Sequence, residues 1–319
     1  MTGAAGFVGR HLVAHLVAEG DEVLTTDRAS GGPDLLDREG LVGLFTELCP
    51  EVVFNMAAQA DVEQSWQEPM ETIRANGEGT FNVLAAGRLA GVERVVTVVS
   101  SDVYGAVRSD ELPLNERAPF RPVSPYAASK AMADLIAQQA HLGFGQDVIR
   151  ARSFNHFGPG QSENSVCSAL AARISRCELL DDESINVGNL EVQRDFTDVR
   201  DVVRAYRLLA IHGRAGRAYN VCSGTATSIR TVLNILLEHA ERPIRVISDP
   251  ELFRSVDLSE LRGDPALLEA DTGWSPDRTL DSSLIELLDD WRCRHRSAQH
   301  RRAGDGLVEY QVAKDSASW

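Results

Sequence analysis

Lysine is nearly missing from this sequence. Of 32 basic residues, 30 are arginine, and only Lys130 and Lys314 are lysine. The skew reflects coding bias more than physics, but it gives each surviving lysine weight. Arginine cannot replace lysine where a titratable ammonium is needed. Positive charge is also in deficit: 47 acidic residues oppose the 32 basic ones, for a net charge of −15. That balance disfavours broad binding to nucleic acid or to acidic membranes. Cysteines are few and scattered, at positions 49, 167, 177, 222 and 293. No Cys-x-x-Cys and no Cys/His cluster has zinc spacing, so neither a disulfide framework nor a structural metal is expected, and a reducing, cytoplasmic setting is. Long apolar runs are missing too. The best is Val95-Val96-Thr97-Val98-Val99, far short of a membrane span. No basic stretch followed by an apolar core marks the N-terminus, so no secretory signal is expected. Repeats and low-complexity segments are likewise lacking.

What is present is an ordinary globular composition, with 43% hydrophobic and 25% charged residues over 319 positions. At roughly 150 residues per domain, that length allows two domains or one large unit with an elaboration. Short β-rich runs alternate with helix-periodic stretches. Val8, Leu12, Val13, Leu16 and Val17 mark one face of a helix ending near Gly20. Strands are expected at Glu22–Asp27, Glu51–Met56, Arg94–Ser100 and Gln146–Ser153, and helices over 38–48, 69–90 and 125–142. The run Arg94–Ser100 has the continuous apolar character of a buried parallel strand. This alternation predicts an α/β fold with a doubly wound parallel sheet. Beyond Asn155 the pattern loosens. We expect a dinucleotide-binding domain over 1–155, to which 196–224 returns, and a smaller substrate-binding portion from 156–195 and 225–291. Residues 292–319, rich in Arg, His, Ser and Gly, read as a frayed tail.

The run Thr2-Gly3-Ala4-Ala5-Gly6-Phe7-Val8-Gly9 opens a helix. Its glycines permit a tight turn and bring a helix N-terminus up to a pyrophosphate, whose charge suits the helix dipole. Asp27 follows 18 residues after Gly9 at the end of the next expected strand, where a carboxylate accepts from a ribose hydroxyl. That carboxylate should repel a 2′-phosphate and so favour NAD, whereas Arg28 beside it would welcome NADP. The strand that should precede the glycine loop is missing from the sequence, since only Met1 comes before Thr2. We expect a natural chain to begin upstream.

Tyr126 and Lys130 stand four residues apart, on one face of a helix. A phenol with a reference pKa near 10 is a poor proton carrier at neutral pH, and a nearby ammonium favours the phenolate. Lys130 can also hold a nicotinamide ribose. The apolar strand ends in Ser100-Ser101-Asp102, at the edge where parallel strands face their ligand, and a serine there can share a proton with Tyr126. The segments Arg152–Pro159 and Arg194–Asp198 supply further amide and guanidinium donors, Arg152, Asn155 and Arg194 among them.

With these residues in view, the sequence resembles the extended short-chain dehydrogenases/reductases that act on nucleotide sugars, over residues 2–291. The resemblance implies a Rossmann-like fold and a Ser100, Tyr126, Lys130 triad. It implies that Asp34 and Leu35 meet the adenine, that Ala57, Ala58 and Gln59 pass over the pyrophosphate, and that Asn76 is the helix asparagine of the family's Asn-x-x-Gly-Thr segment. Asn55 stands where many members have histidine. The runs Arg152–Gln161, Gly188–Phe196 and Tyr219–Gly224 look closest to the GDP-sugar branch, which includes GDP-mannose 4,6-dehydratase and GDP-4-keto-6-deoxymannose reductase. By the same resemblance Asn155 and Arg194 hold the substrate pyrophosphate, Arg254 a phosphate and Asp257 a ribose. Ser101 joins Ser100 at the sugar, and the implied assembly is a homodimer through the helices near 69–90 and 126–142.

All reactions of this group share hydride transfer at the sugar 4-position. A 4,6-dehydratase also needs a base for the 5-proton and an acid for the departing 6-hydroxyl. The family's dehydratases carry glutamate where this chain has Asp102, and a shortfall of about 1 Å can cost ~100-fold in rate. Reduction of GDP-4-keto-6-deoxymannose is therefore the expected activity. GDP-mannose 4,6-dehydration and nucleotide-sugar 4-epimerisation are the alternatives, and a non-catalytic dinucleotide sensor is a remote one. Asp27 and NAD speak for the dehydratase, which recycles its cofactor.

Overall fold

The computed structural model describes residues 1–253 and 258–315, with side chains as far as residue 299. The chain divides into two units. The first comprises Met1–His156, Glu191–Ser228 and Arg254–Leu280, and the second Phe157–Leu190, Ile229–Phe253 and Asp281–Trp319.

The first unit is built on a parallel sheet in the order Val52–Asn55, Arg94–Ser100, Val148–Ser153, Ala218–Val221. Successive residues of a strand point to opposite faces, and both faces here are buried. Phe54, Val96 and Ile149 pack with Leu12 and Leu16 of the helix Phe7–Ala18 and with Val202, Tyr206 and Leu209 of Val199–His212. Their neighbours Val53, Val95 and Val148 turn the other way. They meet Leu41 and Phe45 of Arg38–Leu48, Val83 and Leu84 of Gly79–Leu89, and Ala137 and Ala140 of Pro125–Phe144. That is why the strand Arg94–Ser100 reads as an unbroken apolar run. It is also the doubly wound α/β architecture that the sequence predicts.

Three expectations are corrected. Glu22–Asp27 is extended chain with a single bridge, from Thr26 to Thr2, among the described residues. Thr2 bridges Thr26 on one side and Asn55 on the other, and the Met1 amine donates to Leu24 O at 2.7 Å. The helical run from Pro69 to Leu89 contains a π-helical segment, Arg74–Glu78, which turns the Asn76 side chain into the protein. Residues 191–195, 225–228 and 258–280 group with the first unit, not with the smaller portion. The strand Gln193–Asp198 pairs with Glu260–Leu261 and Ala226–Ser228, and buried Asp195 accepts hydrogen bonds from Ser223, Gly224 and Gly263.

The second unit holds the helices Val166–Leu180, Ile229–Glu238 and nearly all of Leu280–Asp315, with Ser184–Val187 paired to Arg245–Ser248. The stretch expected to fray after Trp291 continues the last of these helices. Trp291 donates to Ser168 Oγ at 2.8 Å, and Arg292 forks onto Glu178 at 2.7 and 2.9 Å. These contacts anchor the start of that stretch. All five cysteines are unbridged. Among the described residues no helix is long and apolar enough to cross a membrane, and no group of His, Cys, Asp and Glu could hold a metal ion.

Candidate active site

The glycine loop is forced by close backbone packing. Gly3 has φ +69°, and a Cβ there would lie 2.7 Å from the backbone nitrogen of Ala57. A Cβ on Gly9 would lie 2.2 Å from Gly3 O. Gly6 is the N-cap of the helix Phe7–Ala18, and no side chain caps it, so the first-turn amides around Phe7 and Val8 face outward as donors for an anion. Asp27 braces the loop, accepting from Ala5 N at 3.2 Å and Ala29 N at 2.9 Å. Arg28 reaches Asp34 at 3.3 Å in an exposed ion pair, leaving its charge close to Asp27. Asp34 Oδ1 also accepts from Leu36 N, and Leu35 packs on Gly79.

Thr2 ties this loop to the next strand end. Its hydroxyl donates to Asn55 Oδ1 at 3.1 Å and accepts from the amides of Met56 and Ala57 at 3.2 Å each. The π-helical Asn76 closes the Ala57-Ala58-Gln59 segment. It accepts from Gln59 N at 2.8 Å and donates to Gln59 O at 2.9 Å and to Ser129 Oγ at 2.8 Å. An uncapped helix start, a glycine cradle and a carboxylate beside it are the donor and acceptor set that a dinucleotide requires, so the residues fit that group.

Ser124 caps the helix Pro125–Phe144 by accepting from Ala127 N at 3.1 Å, Pro125 takes its first position, and Gly145 ends it in the left-handed region. Small residues along its buried face, among them Ala127, Ala131, Ala133 and Ala137, let it lie close to the sheet. This puts Tyr126 beside the end of Arg94–Ser100, where Ser100 and Asp102 both bear on its phenol. Ser100 Oγ also accepts from Asp102 N at 3.2 Å. Ser101 is buried in the turn Ser101–Tyr104.

One electrostatic expectation is reversed. Burial and the nearby carboxylate of Asp102 push the Tyr126 phenol well above its ordinary value, and the bond from Ser100 opposes them only in part. The Lys130 ammonium, 6% exposed, is directed at Val98 O at 3.2 Å, and burial lowers its pKa to about 8.

Asn155 is exposed beyond the strand Val148–Ser153. Arg194 Nη1 donates to Gln193 O and Leu258 O, both at 2.8 Å. Arg254 and Asp257 lie outside the described residues. Arg152, expected among the ligand donors, is instead buried in an ion pair with Asp134 at 2.7 Å, because its strand lies behind the catalytic helix. Asp134 itself went unread. It lies 18 residues from Arg152, and no local pattern links the two.

The profile of the NAD dependent epimerase/dehydratase family matches residues 1–222. A GDP-6-deoxy-D-mannose reductase of Pseudomonas aeruginosa is 38% identical, over 93% of this chain and 97% of its own. A GDP-mannose 4,6-dehydratase of Sinorhizobium fredii is 28% identical, over 80% and 78%. Among solved structures, RMD from Pseudomonas aeruginosa complexed with NADPH superposes with a TM-score of 0.82 at 36% identity, covering 92% of this chain and 97% of that one. UDP-glucose 4-epimerase of Thermus thermophilus, in complex with NAD, has the same TM-score at 30% identity, covering 91% and 97%. The glycine loop, the Ser100–Tyr126 pair and the sheet around them are thus the parts of a known architecture, and the chain belongs to the NAD dependent epimerase/dehydratase family.

Proposed function

We propose that this chain is an enzyme of deoxysugar biosynthesis that reduces the 4-keto group of a GDP-linked 6-deoxymannose, using a reduced nicotinamide dinucleotide. The observation that carries the reading is Asp102, two residues beyond Ser100, where the dehydratases of this family carry glutamate. A 4,6-dehydratase needs a carboxylate that reaches the 5-proton, and Asp is one methylene shorter. A keto reductase has no such step. The 38%-identical reductase of Pseudomonas aeruginosa supports the same choice.

Gly3, Gly6, Phe7, Val8 and Gly9 would hold the pyrophosphate of the dinucleotide, with Asp27 on its adenosine ribose, Asp34 and Leu35 at the adenine, and Ala57, Ala58 and Gln59 over the phosphates. Asp27 favours NAD, and Arg28 leaves NADP open. When bound, the dinucleotide supplies the hydride. Tyr126 then donates its proton to the oxygen at the sugar 4-position. Its high pKa keeps it protonated until that transfer, and Ser100 shares the hydrogen bond. Lys130 remains an ammonium at neutral pH and favours the phenolate that forms. Asn155 and Arg194 would take the sugar-nucleotide pyrophosphate, with Arg254 and Asp257 on the guanosine side.

A second reading, GDP-mannose 4,6-dehydration, rests on Asp27, since a recycled NAD suits that reaction. Oxidation of NADH or NADPH followed at 340 nm separates the two readings. The reductase oxidises either only when the 4-keto sugar nucleotide is added, and GDP-mannose elicits nothing.

Two coarser features support a homodimer in a reducing, cytoplasmic setting. Met132 and Leu135 of the helix Pro125–Phe144, and Met70 and Phe81 of the run from Pro69 to Leu89, expose large apolar side chains. The five scattered cysteines fit a reducing compartment.

A further inference from the structure

We infer that Arg152 is a positioning residue for the reaction, holding in one arrangement the three segments that supply the proton-transfer and sugar-binding groups. The inference rests on the roles proposed above for Ser100, Tyr126 and Lys130. Arg152 is buried on the strand Val148–Ser153, with a side-chain exposure of 5%. Its guanidinium spends its donors in three directions. Nε and Nη2 fork onto the carboxylate of Asp134, at 2.7 and 3.1 Å. Nη1 donates to the Tyr104 hydroxyl at 3.1 Å and to Glu116 O at 2.8 Å. Its plane lies over the ring of Phe120, 4.7 Å from the centroid.

Each partner leads to the site. Asp134 stands one helical turn beyond Lys130 and two beyond Tyr126, on the same helix. Tyr104 closes the turn that Ser100 caps and that contains Asp102. Its hydroxyl donates onward to Asn220 Oδ1 at 2.6 Å. The strand of Arg152 itself ends two residues before Asn155. One planar group therefore touches the helix of the acid, the turn of the serine and the strand that leads to the sugar-binding asparagine.

The charges suit a rigid anchor. Asp134 is fully buried and also takes Arg150 at 2.6 Å. Half-buried Glu116, whose carbonyl and carboxylate both join the network, lies within the field of Arg152 and accepts from Asn220 N at 2.8 Å. Two arginines thus share the one carboxylate of Asp134, with the Glu116 charge close by. Buried ion pairs add little stability over apolar packing of the same volume. A five-donor fork does fix direction, which apolar packing and a lysine do not.

The test compares Arg152→Lys, Tyr104→Phe and Tyr126→Phe in the intact protein, measuring kcat, KM for both substrates and the melting temperature. The expected result for Arg152→Lys is a fall in kcat of about tenfold or more, since misplacement by about 1 Å can cost ~100-fold, with both KM values within about twofold. Tyr104→Phe removes one hydroxyl and leaves the Asp134 fork, so its kcat falls in the same direction by less. If Arg152→Lys does not fold, Tyr104→Phe decides alone. Unchanged kcat in Tyr104→Phe, or a loss confined to melting temperature with kcat per folded site intact, overturns the inference. Full activity in Tyr126→Phe overturns the reading of the site instead, and the two failures are therefore distinct.

Discussion

Lys130 donates to the carbonyl oxygen of Val98 at 3.2 Å, linking the helix Pro125–Phe144 to the strand two residues before Ser100. The ammonium is buried, and burial alone brings its pKa from 10.5 to about 8. The folded protein therefore binds this proton more weakly than the unfolded chain. Below about pH 8 the fold carries the whole cost, and stability rises as pH climbs from 8 to 10.5. Lys130→Met should accordingly stabilise the unliganded protein at pH 7 by up to about 3 kcal/mol, while abolishing turnover. Urea unfolding of both proteins at pH 7 and near pH 10.5 checks this. The gap should close at the higher pH, and a gap independent of pH refutes the assignment.

Asp102 bears on the proton carrier in the opposite sense from Ser100, since its charge raises the Tyr126 pKa and the Ser100 bond lowers it. Asp102→Asn removes a negative charge and should move the basic limb of the kcat profile to lower pH. A reductase should keep kcat near its optimum within about tenfold of the parent, because Asp102 performs no proton abstraction in that reaction. A drop of several orders of magnitude would make Asp102 a base, as in a dehydratase.

Asp27 is tied to the glycine loop, and the proposed function puts a ribose against it. Its carboxylate braces Ala5 N and Ala29 N, and it supplies the negative charge that disfavours a 2′-phosphate. In Asp27→Ala the Kd for NADH should rise and that for NADPH should fall, changing their ratio by about tenfold or more, or about 1.4 kcal/mol. Fluorescence titration of both dinucleotides measures the ratio. If the preference stays put, Arg28 and its neighbours set it instead.

Exposed Leu135 and Met132 line an apolar groove with Ala128, Ala131 and Ile136 on the catalytic helix. Leu135→Arg would bury a charge if a second copy covers that face. Light scattering should then report a dimer for the parent and a monomer for the variant. The same mass for both proteins means that the copies meet elsewhere or do not meet.

Local chemistry made much of this site legible in advance. A glycine run and a Tyr-x-x-x-Lys spacing act within one turn or one helix, so Gly3 to Gly9, Tyr126 and Lys130 fall where the sequence places them. The doubly wound sheet was legible for a similar reason, because alternate residues of a strand buried on both faces leave a continuous apolar run at Arg94–Ser100. Long-range pairing left no such trace. Arg152 looked like a ligand donor because it neighbours Asn155, yet its partners are Asp134 on a helix and Tyr104 on a turn, joined only by the packing of that helix on the sheet. The stretch Glu22–Asp27 differs for the complementary reason: its residues favour a strand, but a strand needs a neighbour along its length, and among the described residues its one bridge is to Thr2. The lowering of the Tyr126 pKa expected from Lys130 is not found: burial and Asp102 raise it, and the Lys130 ammonium is directed at Val98 O.

In the proposed reaction, hydride arrives at the 4-position of a keto sugar under the proton of Tyr126. Mass spectrometry of the product tests it most directly, with GDP-4-keto-6-deoxymannose and a dinucleotide deuterated at its transferable position. The account predicts a product that has gained two hydrogens, one of them deuterium at carbon 4, and no such product from Tyr126→Phe. Loss of water from GDP-mannose with catalytic NAD, and no deuterium gained by the keto sugar, would contradict it.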